Sequence, residues 1–282
     1  MKTATTIQDL REHLDSFRRA GQTIGLVPTM GALHPGHLSL VRAAQARTDI
    51  VVVSLFVNPL QFGPKEDLAK YPRDLGRDRE LLERGGADYL FAPEVEEMYP
   101  PGAVTYVTVE ELSSRLDGLS RPGHFRGVTT VVAKLFHIVE PTHAFFGQKD
   151  AAQVAVLRRM VRDLNFPLEI VVCPIVREPD GLALSSRNIY LNAAERQQAQ
   201  VLTRTLARIR EQFEQGERDA ARLIALGKQS LATETAARLD YLSIVDPESL
   251  EAIETIDRPA LLAVAAWVGM TRLIDNEILD PL

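Results

Sequence analysis

Short apolar runs and amphipathic segments alternate along the first part of this sequence, and this alternation restricts the possible folds more than any other feature. Thr23–Pro28 has the composition of a strand, and Pro35–Thr48 has the spacing of apolar side chains that predicts a helix. Ile50–Val57 is an almost uninterrupted apolar run, which is typical of a strand covered on both faces. A strand, a helix and a second strand in about 35 residues predict a βαβ unit with a right-handed crossover.

The alternation continues to residue 176. The predicted helices are Arg77–Arg84, Val128–Val139 and Asp150–Leu164, and the predicted strands are Tyr89–Ala92, Val104–Val109, His143–Phe146 and Leu168–Val176. Strands that alternate with helices favour a parallel sheet with helices on both faces. We therefore predict an α/β fold in which residues 1–176 form a Rossmann-like domain with a doubly wound parallel sheet.

Beyond residue 176 the pattern changes. Pro and Gly in Glu178–Gly181 predict the turn of a hairpin, and Asn192-Ala-Ala-Glu195 predicts the capped start of a helix of about twenty residues. A second helix is predicted over residues 219–238, and two late strands, over residues 240–245 and 272–279, flank the apolar segment at residues 261–268. Strands without helices between each pair indicate a smaller α+β domain, which we expect to span residues 177–282.

Charge and composition argue against several classes of function. The net charge of −6 and the lack of a basic run argue against binding to nucleic acid, because proteins that contact phosphate backbones carry basic faces. The single cysteine, Cys173, excludes an internal disulfide, and its apolar neighbours predict a buried thiol. The longest apolar stretch, Ala260–Met270, is too short to span a membrane, and the N-terminus has no apolar signal segment. We expect a cytoplasmic protein with no membrane partner.

The segment Val27–His37 follows the first predicted strand and opens the first predicted helix, where open α/β sheets bind ligands. Gly31 and Gly36 permit a ligand to approach the backbone, and free N–H groups at a helix start attract phosphate. His34 and His37 are three residues apart and therefore lie on one face of the first turn. The pair indicates phosphate chemistry, with a plain helix cap or a metal site as the alternatives. The sequence contains no glycine-rich dinucleotide motif and no P-loop.

Two later segments add groups that suit a nucleotide. Phe145–Gln153 runs from a predicted strand end into a predicted helix, and Gly147 permits close approach of a ligand there. Lys149 offers a positive charge to phosphate, and Asp150 can accept from ribose hydroxyls. A solvated lysine and a plain N-cap are the alternatives for these two residues. Leu184–Arg187 offers two hydroxyls and a guanidinium that can clamp phosphate, although so short a motif is common.

Five motifs, taken together and in order, resemble the signatures of the pantoate–β-alanine ligase family in the nucleotidylyltransferase superfamily. They are PTMGALHPGH at 28–37, FVNPLQF at 56–62, RPGHFRGV at 121–128, FFGQKD at 145–150 and REPDGLALSSRN at 177–188. The resemblance covers nearly the whole chain. Leu184 stands where that family usually has Met, a change between side chains of similar bulk.

The resemblance implies that ATP and pantoate form a pantoyl adenylate with release of pyrophosphate, and that β-alanine then displaces AMP. His34, His37 and Lys149 are expected to be catalytic, and Mg²⁺ is expected to bind through the ATP phosphates without protein ligands. The expected ATP site comprises Met30, Gly31, His34, Gly36, His37, Gly147, Gln148, Lys149, Asp150, Val176, Leu184, Ser185, Ser186 and Arg187. The expected pantoate site comprises Asn58, Gln61, Val131, Val132 and Gln153.

The charged segment at residues 64–77 follows Gln61 and lies between Gly63 and Gly76. We expect it to close over the adenylate as a lid, since water would hydrolyse the mixed anhydride; a solvated connection is the alternative. The resemblance also implies a homodimer. Two other functions stay open: another adenylyl- or cytidylyltransferase that stops at pyrophosphate release, and a non-catalytic nucleotide-binding module or aminoacyl-tRNA synthetase fragment.

Overall fold

A computed structural model describes residues 1–64, 66–234 and 237–281. The chain divides into two compact units. The first contains Met1–Gly147 and Val156–Pro174, and the second contains Gln148–Ala155 and the chain from Ile175 onward. The domain boundary expected at residue 176 stays a prediction. The sequence did not indicate that Gln148–Ala155 groups with the second unit.

The first unit is built on a six-stranded, wholly parallel sheet. Its strands are β1 (Lys2–Ala4), β2 (Ile24–Thr29), β3 (Ile50–Leu55), β4 (Tyr89–Phe91), β5 (His143–Gly147) and β6 (Glu169–Cys173). The helices that alternate with them are α1 (Ile7–Arg19), α2 (Pro35–Gln45), α3 (Leu75–Gly85), α4 (Val95–Met98), α5 (Asp117–Ser120), α6 (His124–Val139) and α7 (Ala151–Asp163). Helix α7 begins among the residues of the second unit and ends among those of the first.

The strand order β1-β4-β3-β2-β5-β6 reverses direction at β2, which pairs with β3 on one side and β5 on the other. A reversal of this kind is the place where doubly wound sheets bind ligands, beyond the carboxyl ends of the strands. The central strands are buried on both faces, because successive residues point to opposite faces and both Leu26 and Val27 of β2, like Val52 and Val53 of β3, are fully buried. The predicted fold class is therefore confirmed.

Within its described residues, the second unit contains a three-stranded antiparallel sheet and three α-helices that lie wholly inside it. Its strands are β7 (Ala237–Val245), β8 (Ala260–Val268) and β9 (Thr271–Leu279), in the order β7-β8-β9, and its helices are α8 (Ala193–Ala199), α9 (Val201–Glu214) and α10 (Ala220–Leu231). Apolar side chains of α9, α10 and β8 form the core of this unit. Asn192 caps α8 with the predicted capping box, since its side chain accepts from the Glu195 N–H and Glu195 accepts in return.

Some predicted elements differ from those observed. Residues 104–109, all of which are described, form no strand, because the backbone N–H and carbonyl of Val107 bond instead to the hydroxyls of Thr130 and Thr129. The single helix predicted from Asn192 is two helices, α8 and α9, that meet at Gln200. Helix α10 ends at Leu231, well before residue 238, because Ala237 onward pairs with β8.

Two further expectations can be compared with the structure. The thiol of Cys173 is buried, as predicted, and burial raises its pKa. No helix within the described ranges is long and apolar enough to cross a membrane.

Candidate active site

The turn from β2 into α2 lies at the carboxyl end of the strand where the sheet order reverses. His34 is the N-cap of α2, and Pro35 follows at the first helical position. The Nδ1 atom of His34 accepts from the Gly36 N–H at 3.2 Å, and the Nδ1 atom of His37 accepts from the His34 N–H at 3.3 Å. The two rings stack with their centroids 4.0 Å apart. The histidines thus form a reciprocal capping box on one face of the helix start.

This capping pattern determines the protonation of both rings. A ring nitrogen that accepts a hydrogen bond carries no proton, so each imidazole is neutral and holds its proton on Nε2. Each Nε2–H is a hydrogen-bond donor of the kind that stabilises negative charge on phosphate oxygens. The plain-cap alternative and the phosphate interpretation are therefore compatible, because the cap uses Nδ1 and leaves the Nε2 proton as a donor.

The expectation of free N–H groups at the start of α2 is wrong. The Gly36 N–H donates to His34 Nδ1, and the N–H groups of His37 and Leu38 donate to the His34 carbonyl. The physical reason is the side-chain cap, which satisfies the donors that a bare helix start would offer. In this turn the donors suited to phosphate are imidazoles.

The loop before α2 is held by a carboxylate that sequence reasoning missed. Asp78 of α3 is 1% exposed, and its two oxygens accept from the N–H groups of Ala32 and Leu33, each at 2.8 Å. Burial raises the pKa of Asp78, while these backbone hydrogen bonds act in the opposite direction. Gly31 has φ of +83°, and a Cβ there would lie 3.0 Å from the Asp78 carboxylate, so both the backbone conformation and the close approach require glycine.

Two residues predicted to bind pantoate, Asn58 and Gln61, contact each other in the short turn after β3. Asn58 is 1% exposed and donates to the Gln61 side-chain oxygen at 3.1 Å and to the Gly127 carbonyl at 3.0 Å. Its oxygen accepts from the Tyr99 hydroxyl at 2.8 Å. Burial raises the pKa of Tyr99, which keeps the phenol protonated as a donor. The Gln61 Nε2 group points to the thioether of Met30 at 2.9 Å, a weak acceptor.

Helix α6 brings two further predicted residues to this turn. A Cβ at Gly127 would overlap the Leu60 carbonyl, so only glycine permits the helix to pack this closely. Val131 is one helical turn beyond Gly127 and lies on the same face. Val131 and Val132 are both buried, which suits the methyl groups of a small acid.

Gln61 is also held through its backbone carbonyl, by a histidine of the 121–128 motif and the ion pair that orients it. Glu66 accepts from Arg121 through both carboxylate oxygens, at 2.7 and 2.6 Å, and Arg121 donates to His124 Nε2 at 2.9 Å. Because that nitrogen accepts, the His124 proton is on Nδ1, which donates to the Gln61 carbonyl at 2.8 Å. Burial, with the Arg121 charge, lowers the pKa of His124 to about 4. A pocket of about 280 Å³ lies beside this network.

The contacts of residues 64–77, the segment expected to be a lid, include those of Glu66 and Tyr71 with the rest of the first unit. Glu66 carries the ion pair to Arg121, and Tyr71 is 5% exposed with its ring edge against Phe62. Lys65 lies outside the described residues. The role of this segment as a lid stays a prediction.

The turn that carries Lys149 belongs to the second unit. Gln148–Asp150 forms a short 3₁₀ turn directly after Gly147, and α7 begins at Ala151. Lys149 Nζ lies 3.7 Å from the Asp150 carboxylate, and both side chains are partly exposed. Gln153 follows in the first turn of α7 and is half-buried.

The Ser-Ser-Arg motif also lies in the second unit, at the start of a 3₁₀ helix that spans Ser186–Tyr190. Ser185 is the N-cap, and its hydroxyl accepts from the Arg187 N–H at 3.2 Å. Leu184 pairs through its N–H with the Val176 carbonyl, which closes the base of the predicted hairpin. The predicted ATP-binding residues Leu184, Ser185, Ser186 and Arg187 therefore lie in one loop.

Metal-ligating side chains do not cluster in the described part of the chain: no group of three or more His, Cys, Asp or Glu is placed to hold an ion. The donors collected above are neutral imidazoles, hydroxyls, a lysine and an arginine. Such a set suits phosphate oxygens and not a bare cation.

Comparisons with known proteins agree with the motifs. Residues 2–278 match the model of the family described as pantoate-beta-alanine ligase. A pantothenate synthetase of Acidobacterium capsulatum is 61% identical over 290 residues, which cover 99% of this chain and 97% of that protein. The chain belongs to the pantoate–β-alanine ligase family.

Solved structures of the family share the fold. The crystal structure of pantothenate synthetase from Thermus thermophilus superposes with a TM-score of 0.95 at 50% identity and full coverage of both chains. A pantoate-beta-alanine ligase from Francisella tularensis, complexed with beta-gamma ATP and beta-alanine, has a TM-score of 0.76 at 33% identity, covering 99% of this chain and 97% of that one. The family resemblance inferred from the motifs is confirmed.

Within this ligase-family chain, each unit collects its own part of the predicted site. The first unit holds Met30, Gly31, His34, Gly36, His37, Asn58, Gln61, Val131, Val132 and Gly147, and the second holds Gln148, Lys149, Asp150, Gln153, Val176, Leu184, Ser185, Ser186 and Arg187. Their individual roles stay predictions. Sequence reasoning named no role for Asp78, Tyr99, Arg121 or His124. Of these four, Arg121 and His124 lie in the motif at residues 121–128, and that motif was the only signal that pointed to any of them.

Proposed function

We propose that this chain joins pantoate to β-alanine with consumption of ATP. The pantoate carboxylate attacks the α-phosphorus of ATP, the bond to the leaving oxygen breaks, and pyrophosphate departs with its electron pair. The amine of β-alanine then attacks the acyl carbon of the pantoyl adenylate, AMP leaves, and the amine loses a proton to give pantothenate. Neither step requires a protein nucleophile.

The observation that carries the proposal is the reciprocal histidine cap at the start of α2. It holds two neutral rings with their protons on Nε2 at the end of the strand where ligands bind in this fold. Hydrogen-bond donors that are already oriented need no rearrangement as charge develops on phosphate oxygens, which is how such sites accelerate group transfer. Lys149, Ser185, Ser186 and Arg187 would supply further donors to the phosphates.

The pantoate end of the site would use Gln61. Asn58 holds its oxygen, so the side chain is oriented with its Nε2 donor toward Met30. A thioether is a weak acceptor, and a pantoate hydroxyl or carboxylate is a stronger one. Replacement of that weak bond by a strong one favours pantoate at this position. Gln153 would contact the same substrate from α7.

Mg²⁺ would enter bound to ATP. The phosphate-binding residues named here are donors, so they fit a nucleotide whose phosphates hold the metal, and Mg²⁺ commonly binds in this way. The ion would neutralise charge on the departing pyrophosphate. We further propose that the chain works as a homodimer in the cytoplasm, as its family resemblance implies.

The two half-reactions can be measured separately. Incubation with ATP, Mg²⁺ and pantoate alone should yield pyrophosphate and an enzyme-bound pantoyl adenylate, which mass spectrometry detects. Addition of β-alanine should then release AMP and pantothenate. Formation of an adenylate that never reacts with β-alanine would favour the alternative, an adenylyltransferase without a ligation step. Absence of any adenylate would contradict both.

A further inference from the structure

The strand β9, at the far end of the sequence, contacts the turn that carries Lys149. Asn276 of β9 is 3% exposed, and its side-chain nitrogen donates to the carbonyls of both Gln148 and Lys149, each at 2.9 Å. Its side-chain oxygen accepts from the Gln148 amide, also at 2.9 Å. All these residues belong to the second unit.

These bonds determine which way the Asn276 amide is turned. Backbone carbonyls only accept, so the nitrogen of the amide must face them, and its two hydrogens are both used. A hydroxyl side chain would offer one hydrogen, and a carboxylate would offer none. Asparagine is therefore the small side chain that satisfies both carbonyls and the Gln148 amide at once.

The two carbonyls belong to the peptide groups on either side of the Lys149 α-carbon. When both peptide groups are held, the φ and ψ angles of Lys149 are restricted, and so is the direction of its Cα–Cβ bond. The long side chain of lysine otherwise rotates freely and would lose that freedom on contact with phosphate. The bonds to Asn276 restrict the base of the side chain before any ligand arrives.

Asn276 is itself held in place by its neighbour on the strand. Asp275 is 2% exposed and accepts from the Asn276 N–H at 2.8 Å. The same carboxylate forms a two-point ion pair with Arg177, at 2.6 and 3.0 Å. Arg177 begins the hairpin that leads into the Ser185–Arg187 loop. A buried, fully bonded network of this kind is rigid.

We propose that Asn276 is a positioning residue for Lys149: it restricts the backbone on which the lysine is carried and so aims the ammonium group at the phosphates of ATP. This inference rests on the proposed function, in which Lys149 contacts ATP. Asn276 itself touches no substrate. We expect its effect on the reaction to pass chiefly through Lys149, and the double-mutant cycle separates this from any effect through Gln148, which Asn276 also bonds.

The test is a double-mutant cycle on adenylate formation, followed as pyrophosphate release in a single turnover. Asn276→Ala removes the three side-chain bonds, and Asn276→Asp keeps the shape but directs an acceptor at two carbonyls. Each should lower the adenylation rate about 100-fold, because a displacement of about 1 Å in a positioned group can reduce a rate by this factor. The Kd for ATP should change far less. In a Lys149→Ala background the same changes should alter the rate by no more than about twofold.

Glu277→Gln is the matched control. Glu277 is the next residue of β9, and its carboxylate pairs with Arg210 on α9, so its loss should leave adenylation unchanged. Thermal unfolding of each variant shows that it is folded, and if Asn276→Ala or Asn276→Asp unfolds at the assay temperature, Asn276→Ser, which keeps one hydrogen for the two carbonyls, carries the test.

Three results would overturn the inference. One is a rate for Asn276→Asp equal to that of Glu277→Gln, and another is an effect of the same size with and without Lys149. The third is a smaller yield of active protein with an unchanged adenylation rate per active enzyme. Failure of the proposed function is recognised separately, since the wild-type chain would then form no adenylate at all.

Discussion

Two strand-to-helix turns carry the predicted catalytic groups, and they are held in place differently. The turn after β2 is capped by its own histidines, three residues apart, and its loop is held by Asp78 of the same unit. The turn after β5 is held by Asn276, whose bonds to Gln148 and Lys149 reach across 128 and 127 positions of sequence. The first turn is organised largely by local residues and the second by a distant one. A cap formed by residues three positions apart can be recognised in a sequence, whereas a contact between residues more than a hundred positions apart is seen only in the folded structure.

The largest expected effect separates the two functions of His37. Both His37→Ala and His37→Glu remove the Nε2–H donor, so adenylate formation should fall about 10²–10³-fold in the alanine variant, the usual cost of one oriented donor, and at least as much in the glutamate variant, whose charge also repels phosphate. Glutamate can still accept from the His34 N–H as a capping-box residue, but alanine cannot. The free energy of unfolding should therefore fall by about 1 kcal/mol in the alanine variant only.

The rate is measured by single-turnover pyrophosphate release and the stability by urea unfolding. Lys149→Ala, which removes a donor from the other turn, serves for comparison and should lower the rate similarly without loss of stability. Near-normal adenylation by His37→Glu would show that His37 acts only as a cap and would remove the main difference between the two turns.

Acid should loosen the pantoate end of the first unit and not the Lys149 turn. The pKa of His124 is lowered to about 4 from 6.5, so between these pH values the unfolded chain binds a proton that the folded chain does not. The stability contributed by the neutral ring is complete above pH 6.5 and is lost as the pH falls toward 4, by roughly 3 kcal/mol in total. Arg121 and Glu66 are the charged groups bonded in this network.

Unfolding free energies of wild type and His124→Gln, measured from pH 7.5 to 4, test this expectation. Glutamine can accept from Arg121 and donate to the Gln61 carbonyl without titrating, so the variant should lack this part of the pH dependence. The amide bonds of Asn276 contain no titrating group and should be unaffected. Parallel pH curves for the two proteins would contradict the role assigned to His124.

The smallest expected effect concerns Asp78, an anchor of the first turn that is distant in sequence. Asp78→Asn keeps one acceptor but directs an amide nitrogen at a backbone N–H, so one of two buried bonds is lost at a cost of about 1–3 kcal/mol in the free energy of unfolding. Adenylation should fall less than in Asn276→Asp, because the histidine cap holds the first turn independently. Urea unfolding and single-turnover rates measure both quantities, with Asp74→Asn as the control, because it makes the same substitution at the N-cap of α3, where asparagine caps as well as aspartate.

The sequence by itself determined the class of fold and the family, and it predicted the residues of the site. The apolar run at residues 50–57 indicated a covered strand, which is observed as β3, and the two histidines three residues apart at a predicted helix start indicated a shared helical turn. Both depend on local periodicity, which a linear pattern records. The same applies to the capping box of α8 and to the order of the five motifs. The strand expected at residues 104–109 was wrong because threonine hydroxyls of α6 take the bonds of Val107 that a neighbouring strand would need.

Only the tertiary structure decided which side chains hold the site together. Asp78, Tyr99, His124 and Asn276 reach their partners over 45, 41, 63 and 127 positions of sequence or more. No periodicity marks such residues, since an aspartate on a helix or an asparagine in a strand looks like any exposed polar position until folding buries it. A buried polar group without a hydrogen-bond partner destabilises the folded state, so such a group is found bonded to a partner. Which partner this is depends on the residues that the fold places beside it and not on the local sequence.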